Sequence, residues 1–538
     1  MKANVDAIVV RDNRVFAYGW AFMSASVIES LWLEATLVDG SKISLPLSYG
    51  KARQDVATVF PDEQQALYSG WLAYAAWEGA VAESFALAGV LQDGSPVSMV
   101  LPASAVDLAG EVPLPPDPPT LPQRAITRLR KLIGAESGEP AVVAPEISFK
   151  PPEGVSAAAM LERLSAALRS AGQPHCSLTI DHDMGGGANH YRKQWMAAAE
   201  ARRPVALLLG FEISTLRYFL EIVVAGIPER FFLSDDAIVE LLVQSLLVDE
   251  VFYNDAVSFP RPVDVPRWLM AFKRIRGVRL KIAVHDYFSV CPSQFLLNDS
   301  GRFCGIPEIG ECMRCLPKND NEFAVLFTDR DMPEWRKAWS EVLMAADDIV
   351  CFSQSSSQLL LRAYPRLVAA NLRVEPHSVE SFDRPAHIDL SGPLHIGVVG
   401  SIGIHKGARV LQRLADEVRR RASDVRITVI GSVDLPCDSG VLQTTGAFER
   451  AALPGLIEKS GINVFLLPSI CPETFSYVTQ ELMSLGVPLA CFDLGAPADR
   501  VAAYARGQVL TCQEAGPLLD ELLHFHQALT ADNQRNPS

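Results

Sequence analysis

Apolar and polar positions change their spacing once along the chain, and this change divides it into two regions. Residues 1–107 consist of short segments in which apolar and polar side chains alternate, as in SLWLEATLVDG and ESFALAGVLQDG. Alternation with a period of two is typical of half-buried strands, and Asp39-Gly40 and Asp93-Gly94 are hairpin turn signals. We therefore predict a small antiparallel β-sandwich as an accessory domain over 1–107.

Beyond residue 156, apolar runs of strand length alternate with segments that have the spacing of amphipathic helices. This order predicts α/β domains with parallel sheets over 156–385 and 386–515, then a C-terminal helix and tail over 516–538. Each α/β domain opens with a strand, a glycine loop and a helix, which is typical of doubly wound, Rossmann-like folds. The further strands predicted in the first of these domains are PVALLLG, DEVFYN, RLKIAVHDY and DIVCFS.

A proline-rich linker over 108–155 separates the two regions and should be extended and semi-rigid. The segment QRAITRLRKLIG inside it predicts a basic amphipathic helix with cations at Arg124, Arg128, Arg130 and Lys131. Such a helix is able to bind the surface of an anionic membrane, where a lipid-linked acceptor would be located. A solvated linker helix or a docking helix is the alternative interpretation.

Two glutamates occur in the segment CPETFSYVTQELMSLGVPLACFDLGAP, which follows a predicted strand. A helix should begin near Thr474 or Ser476, either of which can cap it, and should end at Gly486. Glu473 then lies in the loop before the helix, and Glu481 lies in the helix body. The two carboxylates therefore flank the start of one helix.

The first free backbone amides of this helix, from Phe475 and Ser476 onward, would form an anion site at the carboxyl edge of a parallel sheet. Lys406, on another loop of the same edge, would add a positive charge for a phosphate. A pyrophosphate would repel carboxylates, so Glu473 and Glu481 should instead accept hydrogen bonds from neutral hydroxyls. A nucleotide sugar carries both kinds of group. The glycines of the Lys406 loop are Gly400, Gly403 and Gly407.

On these residues the chain resembles the retaining glycosyltransferases of the GT-B fold, family 4 (glycosyl transferases group 1). The resemblance rests on Glu473 and Glu481, on Lys406-Gly407 after the glycine loop, and on CPETFSYV and FDLGAP, and it covers roughly residues 175–512. It implies two Rossmann-like domains that face a cleft. It also implies that Glu481 holds the ribose of the donor, Glu473 the transferred sugar and Lys406 the diphosphate.

The resemblance extends to other positions of the expected cleft. It puts a cleft histidine at His285, in contact with the transferred sugar. The alternative is a histidine that is merely hydrogen-bonded at the end of a strand. Ser401 stands where the family often has an arginine, so neutralisation of the phosphates would rest on Lys406 and helix amides. A run of three glycines at a helix N-terminus would line the acceptor side of the cleft, although a tight turn alone also explains it. These glycines are Gly185, Gly186 and Gly187.

Four cysteines follow His285 within one short segment that ends in a C-x-x-C pair. Four thiolates would coordinate a zinc ion tetrahedrally and would hold a long loop in place beside the cleft. Free thiols or an iron-sulfur cluster are the alternatives that the spacing leaves open. No acidic metal-binding motif occurs in the expected place, so no cofactor is expected for catalysis itself. The four cysteines are Cys291, Cys304, Cys312 and Cys315.

Composition narrows the choice of partners and compartment. The 538 residues are 49% hydrophobic, which supplies the cores of several domains, and the net charge of -15 argues against a broad nucleic-acid surface. No apolar run approaches the ~20 residues needed to span a bilayer, and the N-terminus lacks the apolar core of a signal peptide. We expect a cytoplasmic protein, peripheral at the inner face of the membrane if the basic helix binds there.

The predicted β-domain contains four tryptophans, which are either core residues or a sugar-stacking platform. They are Trp20, Trp32, Trp71 and Trp77.

Together these patterns and the family resemblance imply a retaining glycosyltransferase, which we expect to act in bacterial surface polysaccharide synthesis. The enzyme would move a sugar from a nucleotide-sugar donor to a glycan or lipid-linked acceptor. Two other classes remain open, because a fold does not determine a function. One is a nucleotide-sugar epimerase or hydrolase of the same fold, and the other is a non-catalytic glycan-binding scaffold.

Overall fold

The computed structural model contains the predicted architecture of an N-terminal β-domain followed by two Rossmann-like domains that face a cleft. The predicted basic helix around 124–133 lies outside the described residues. Across the described ranges, no helix is both long and apolar enough to cross a membrane. The structure describes residues 1–101, 106–107, 156–200, 202–233, 235–319, 330–367, 371–437 and 440–535.

The β-domain is one eight-stranded sheet in the order β7-β6-β3-β4-β5-β2-β1-β8, antiparallel except for the pair β1 and β8. β4 pairs with β3 through its first half and with β5 through its second half, so the predicted sandwich is one continuous sheet. Residues of both halves share one apolar core. The elements are β1 (Lys2–Arg11), β2 (Arg14–Phe22), β3 (Ile28–Leu37), β4 (Lys42–Lys51), α1 (Gln54–Val59), a 3-10 turn (Gln64–Ala66), β5 (Gly70–Ala76), β6 (Ala82–Leu91), β7 (Pro96–Val100) and β8 (Val106–Asp107).

Both predicted hairpins are confirmed, because β3–β4 and β6–β7 turn at the two Asp-Gly pairs. In the first turn the Asp39 carboxylate accepts the Ser41 amide at 2.9 Å, and Asp93 accepts the Ser95 amide in the same way. Trp71 and Trp77 are buried in the core of this domain, so those two tryptophans are packing residues and not an exposed platform.

The β-domain packs against the domain that follows it. Phe16 belongs to the apolar core of the next domain, and the Tyr74 hydroxyl donates to the Ser258 carbonyl at 3.1 Å. Lys51, at the end of β4, also reaches the third domain, where its ammonium lies 3.4 Å from Asp434. The β-domain therefore contacts both Rossmann-like domains.

The second domain has the sheet order β12-β11-β10-β9-β13-β14-β15-β16, and all four strands predicted after β9 are present. Its elements are α2 (Ala157–Ser170), β9 (Cys176–Ile180), α3 (Gly186–Glu200), β10 (Val205–Glu212), β11 (Arg217–Val224), β12 (Ile227–Phe232), α4 (Ala237–Ser245), β13 (Val248–Tyr253), α5 (Asp264–Lys273), β14 (Arg279–Val284), α6 (Ile309–Cys315), a 3-10 turn (Leu316–Lys318), α7 (Met332–Ala345), β15 (Asp348–Cys351), α8 (Gln354–Ala363) and β16 (Leu372–Val374).

The prediction of a purely parallel sheet was wrong for this domain. Strands β10, β11 and β12 form an antiparallel meander, which makes the sheet mixed. The β11–β12 turn consists of Ala225 and Gly226, with φ angles of 49° and 75°. The turn lacks the Asn-Gly or Asp-Gly pair that signals such a hairpin, and alanine is rare in this left-handed region. The sequence therefore contains no indication of the hairpin.

The third domain is an all-parallel sheet in the order β19-β18-β17-β20-β21-β22. Its C-terminal helix belongs to the domain core, because Leu518, Leu519 and Leu522 are buried there. The elements are β17 (His395–Ile402), α9 (Ala408–Arg420), β18 (Arg426–Val433), β19 (Leu442–Thr444), a 3-10 turn (Arg450–Ala452), α10 (Leu453–Ser460), β20 (Val464–Leu467), α11 (Tyr477–Ser484), β21 (Leu489–Phe492), α12 (Gly495–Val501), β22 (Gly507–Leu510) and α13 (Ala515–Arg535).

We expect Gly407→Ala to destabilise the third domain by at least about 2 kcal/mol, measured by urea denaturation. Gly407 precedes α9 with a φ of 92°, and a Cβ there would lie 2.0 Å from the Pro468 carbonyl oxygen. Gly455→Ala in α10 is the control, because that glycine has open space and no positive φ. It should be neutral or raise stability by up to about 1 kcal/mol. Equal stability of the two variants would contradict this account of the glycine loop.

Candidate functional site

The carboxyl edges of the two Rossmann-like sheets enclose a cavity of about 1290 Å³. Among its lining residues, the second domain contributes His182, Asp255, Asp286, His377 and the predicted His285, Gly185, Gly186 and Gly187. The third domain contributes His405 and Arg450 together with the predicted Lys406, Glu473, Phe475, Ser476 and Glu481. Nine predicted residues from distant parts of the chain thus meet in one cavity. Gly400, Gly403 and Gly407 are not among the lining residues.

These three glycines shape the loop that carries Lys406. Gly407 allows α9 to begin directly against the Pro468 carbonyl, and the Lys406 amide donates to the Gly403 carbonyl at 3.1 Å. The side chain of Lys406 is half-buried at the cavity wall. Among the described residues no carboxylate pairs with its ammonium, so this positive charge is available to a ligand.

Helix α11 begins at Tyr477, as predicted, but neither predicted cap residue caps it. The Thr474 hydroxyl donates instead to the His285 carbonyl of the facing domain at 2.6 Å. Ser476 has a φ of 67°, and its side chain accepts no amide of the helix. Arg500 holds this segment from behind by donating to the carbonyls of Phe475 and Ser476. The start of α11 therefore has no side-chain cap and faces the cavity.

The segments around CPETF and FDLGAP form one packed unit. Gly495 has a φ of 62°, and a Cβ there would lie 2.6 Å from the Glu473 carbonyl oxygen. That oxygen accepts the Ala496 amide at 2.8 Å. Burial lowers the pKa of Arg500 to about 10, while the Glu473 and Asp499 carboxylates oppose this shift. The backbone of Glu473 is thus fixed, while its side chain stays half-buried at the cavity.

Glu481 is held by a cation that the sequence analysis did not identify. Its Oε1 accepts from Arg450 Nε at 2.6 Å. The Arg450 guanidinium also lies over the Phe382 ring at 4.4 Å and donates to the Glu380 carbonyl. Arg450 stands in a 3-10 turn with no local motif, so only its tertiary position reveals it.

His285 combines the two interpretations given from sequence, because it lines the cavity and is also hydrogen-bonded at a strand end. Asn254 Nδ2 donates to the Ala188 carbonyl, so Asn254 Oδ1 accepts from His285 Nε2 at 2.9 Å. Burial, followed by His377 and His182, holds the pKa of His285 well below its ordinary value. A neutral imidazole with its proton on Nε2 leaves only Nδ1 for a ligand.

Two carboxyl groups and a histidine form a polar cluster on the second-domain wall, and the sequence analysis assigned no role to them. His182 Nδ1 accepts the Met184 amide at 3.1 Å, so Nε2 carries the proton and lies 3.6 Å from Asp255 Oδ2. Burial raises the pKa of Asp286 to about 7, and burial followed by Asp286 raises that of Asp255 well above its ordinary value. Near neutral pH this wall holds a proton and can donate as well as accept hydrogen bonds.

The triple glycine is a point of close approach between the two facing domains. Gly185 and Gly186 have positive φ angles at the start of α3. A Cβ on Gly187 would lie 2.7 Å from Cε2 of Tyr477 in the third domain. The close approach predicted for a ligand is therefore made, in this structure, by a side chain of the opposite domain.

Of the four clustered cysteines, Cys291 and Cys304 lie on the loop that leaves His285, and Cys312 and Cys315 lie in the helix α6 that follows it. Their thiols are close enough to act electrostatically on one another, and burial raises the pKa of Cys291 to about 12. Within the described ranges, no group of three or more His, Cys, Asp or Glu side chains is arranged to hold a metal ion. Zinc binding would thus require the thiols to move closer together, and it stays a prediction. The same loop carries Phe295, whose ring stacks on His405 of the third domain at 4.1 Å.

Comparison with known proteins gives similarity to solved structures only, since no family model and no curated protein matches the chain. The Anabaena protein Alr3699/HepE, in complex with UDP and glucose, is 15% identical, covers 66% of this chain and 90% of its own, and has a TM-score of 0.41. The lipopolysaccharide outer core galactosyltransferase WaaB is 13% identical, with coverages of 66% and 91% and a TM-score of 0.41. A glycosyltransferase from Rickettsia africae ESF-5 is 12% identical, with coverages of 66% and 89% and a TM-score of 0.40. These values are low, so function is argued below from the site itself.

Asp286→Asn should weaken the pH dependence of stability. The pKa of Asp286 is about 7 in the folded chain and about 4 in an unfolded one, so the folded state binds more protons between these values. Stability therefore falls as the pH rises through this window, and asparagine removes the loss. Relative to the wild type, we expect the variant to gain at least about 1.4 kcal/mol between pH 5 and pH 8, measured by urea denaturation.

Asp62→Asn is the matched control, because Asp62 is exposed in the β-domain. This variant should keep the pH dependence of the wild type. If Asp286→Asn also keeps it, the Asp286 carboxyl is not protonated in the folded chain near neutral pH.

If the cysteine cluster binds zinc, purified protein should contain about one equivalent of zinc by mass spectrometry. Cys312→Ser with Cys315→Ser should lose the metal and lower the melting temperature, because metal binding is coupled to folding. Cys512→Ser is the control, since that thiol lies outside the cluster and accepts only a local amide, that of Glu514. Metal-free wild-type protein with full stability would exclude the zinc site.

Proposed function

We propose that the chain is a glycosyltransferase that moves a sugar from a nucleotide-sugar donor to a glycan or lipid-linked acceptor, with retention of configuration. The observation that carries the proposal is the meeting of Lys406, Glu473, Glu481 and the uncapped start of α11 in one interdomain cavity. Cations and free amides suit phosphates, and carboxylates suit hydroxyls. A nucleotide sugar needs both kinds of group side by side.

The diphosphate is assigned to Lys406 and the α11 amides. Ser401, which stands where the resembled family often has an arginine, is exposed, and its hydroxyl accepts from the Ser432 hydroxyl at 3.4 Å. Arg450, which pairs with Glu481, lines the same cavity and supplies a second cation beside Lys406. In this assignment Glu481 accepts from the ribose hydroxyls through the oxygen that Arg450 does not engage.

The chemical step needs a stabilised leaving diphosphate and a site that tolerates positive charge at the anomeric carbon. Lys406 and the helix amides provide fixed positive potential for the departing phosphate. The Glu473 carboxylate, on a backbone fixed by Gly495, provides negative potential for the transferred sugar. His285 is neutral and donates to Asn254, so its role is to position the sugar through Nδ1 and not to supply a proton.

The acceptor is assigned to the second-domain wall. This wall carries His182, Asp255 and Asp286, which suit the hydroxyls of a glycan better than they suit a phosphate. The saccharide end of the acceptor therefore faces these residues, whether or not a lipid is attached to its far end. A role in bacterial surface polysaccharide synthesis fits such an acceptor.

The donor is found by a thermal-shift screen of the full chain with UDP-, GDP-, ADP- and dTDP-sugars. A ligand at 100 times its dissociation constant adds about 2.7 kcal/mol to stability, which is readily measured. Turnover of the stabilising donor is then followed with and without saccharide acceptors. Turnover that needs no acceptor would replace the proposal with hydrolysis or epimerisation, and binding without any turnover would replace it with a scaffold.

The two glutamates should respond differently to substitution. Glu481→Ala removes a contact that is the same in ground and transition states, so it should weaken binding of the free nucleotide diphosphate. Glu473→Gln should lower turnover more than nucleotide affinity, because its charge acts on the reacting centre. Hydrogen bonds to charged groups are worth roughly 1.5 to 3 kcal/mol, or about 10- to 150-fold in either quantity.

Calorimetry with the nucleotide and initial rates with the sugar donor measure these two effects. Glu458→Gln is the control, because that carboxylate pairs with Arg384 outside the cavity. Arg450→Ala removes the ion pair but keeps the Glu481 carboxylate. It therefore shows how much of the lost nucleotide affinity in Glu481→Ala comes from the ion pair and how much from ribose binding. Full turnover of Glu473→Gln, or wild-type nucleotide affinity of Glu481→Ala, would show that these roles are assigned wrongly.

A further inference from the structure

A second cavity, of about 420 Å³, lies at the amino edge of the second-domain sheet. Its walls are the first residues of β13, β14 and β15, the segment before β9 and the C-terminal end of α3. The interdomain cavity lies at the opposite, carboxyl edge of the same sheet. We call this second cavity the amino-edge pocket, and no step of the proposed sugar transfer uses it.

The lining of the amino-edge pocket has more positive than negative charge, in a chain whose net charge is -15. Its carboxylates are already engaged: Arg203 pairs with Asp249 and Glu250, and Arg373 pairs with Asp348. In the part of the chain that the structure describes, the remaining cations of the pocket form no ion pair. These cations are Arg202, Arg279 and Lys281.

Lys281 is the most constrained of these cations. It is half-buried, and its ammonium lies 5.3 Å from the centre of the Phe252 ring and 5.8 Å from that of Trp195. Its hydrogen-bond partner is the neutral Tyr191 hydroxyl, at 3.4 Å. Burial lowers the pKa of Lys281, although the Asp348, Glu375 and Glu250 carboxylates oppose this shift. An anion in the pocket would offset this burial cost.

Tyr191 also separates the amino-edge pocket from the cleft. Its ring contacts the His285 ring with centroids 5.3 Å apart, while its hydroxyl faces Lys281. The two cavities are thus divided by a layer of aromatic side chains between α3 and the sheet. A ligand in the amino-edge pocket would not occupy the donor site.

We propose that the amino-edge pocket binds the phosphate group of a small phosphorylated metabolite. Two guanidinium groups and one ammonium at the same pocket suit a dianionic phosphate, which accepts several charge-assisted hydrogen bonds at once. The volume is within the range of small-molecule pockets and leaves room for an organic part beside Trp195. This inference does not depend on the proposed sugar transfer.

Isothermal titration calorimetry of the full chain with inorganic phosphate tests the proposal. All titrations are done in the Lys406→Ala background, which removes the cation of the cleft that has no carboxylate partner among the described residues, and the pocket variants then show which site holds the phosphate. We expect saturable binding of one phosphate per chain. Lys281→Met and Arg279→Ala should each weaken it at least about tenfold, because each removes a charged hydrogen bond.

Arg276→Ala is the matched control, because Arg276 is an exposed arginine near the same strand but outside the pocket. It should bind phosphate like the background protein. Arg279 is itself exposed, so its variant should keep the melting temperature of the background and remain informative if Lys281→Met does not fold. Absence of saturable binding, or unchanged affinity in Arg279→Ala, would overturn the proposal.

Discussion

The hydrogen bond from the Thr474 hydroxyl to the His285 carbonyl joins the two Rossmann-like domains across the cleft. Thr474 directly follows Glu473, and His285 directly follows β14, so this one contact holds the Glu473 loop against the second-domain sheet. The contact of Gly187 with Tyr477 and the stacking of Phe295 on His405 also join the two domains. Together these three contacts hold the two walls of the cleft against each other.

The two walls of the cleft differ in electrostatic character. The third-domain wall carries Lys406, Arg450 and the uncapped start of α11, which favour anions, beside the carboxylates of Glu473 and Glu481. The second-domain wall carries Asp255 and Asp286, whose carboxyl groups retain a proton because they are buried together. In the proposed function, this difference would orient a ligand that has phosphates at one end and hydroxyls at the other. Burial of Asp255 and Asp286 lowers the stability of the folded chain at neutral pH. The same burial gives the second-domain wall groups that can both donate and accept hydrogen bonds.

The β-domain contacts elements of both walls, although none of its described residues lines the cavity. It rests on the segment after β13 through Tyr74 and Ser258, and that segment also carries Asp255. Lys51 reaches Asp434, whose carboxylate lies against the Gly403 loop of the third domain. The accessory domain is therefore in contact with elements of both walls, and not only tethered by its linker.

Local patterns in the sequence were sufficient for the fold class and for the residues that sit in motifs. Period-two alternation, Asp-Gly turns and glycine loops depend on neighbouring residues, so β3–β4, α9 and the positions of Glu473 and Glu481 were predictable. The β11–β12 hairpin was missed because Ala225 adopts an unfavourable left-handed turn that only the paired strands stabilise.

Tertiary structure alone decided the partners of the motif residues. Arg450 meets Glu481 from 31 positions away, and Thr474 donates across the cleft instead of capping its own helix. His182, Asp255 and Asp286 come from three separate strand ends and acquire raised or lowered pKa values only when buried together. Burial and long-range contacts create these properties, and they are not properties of any short stretch of sequence.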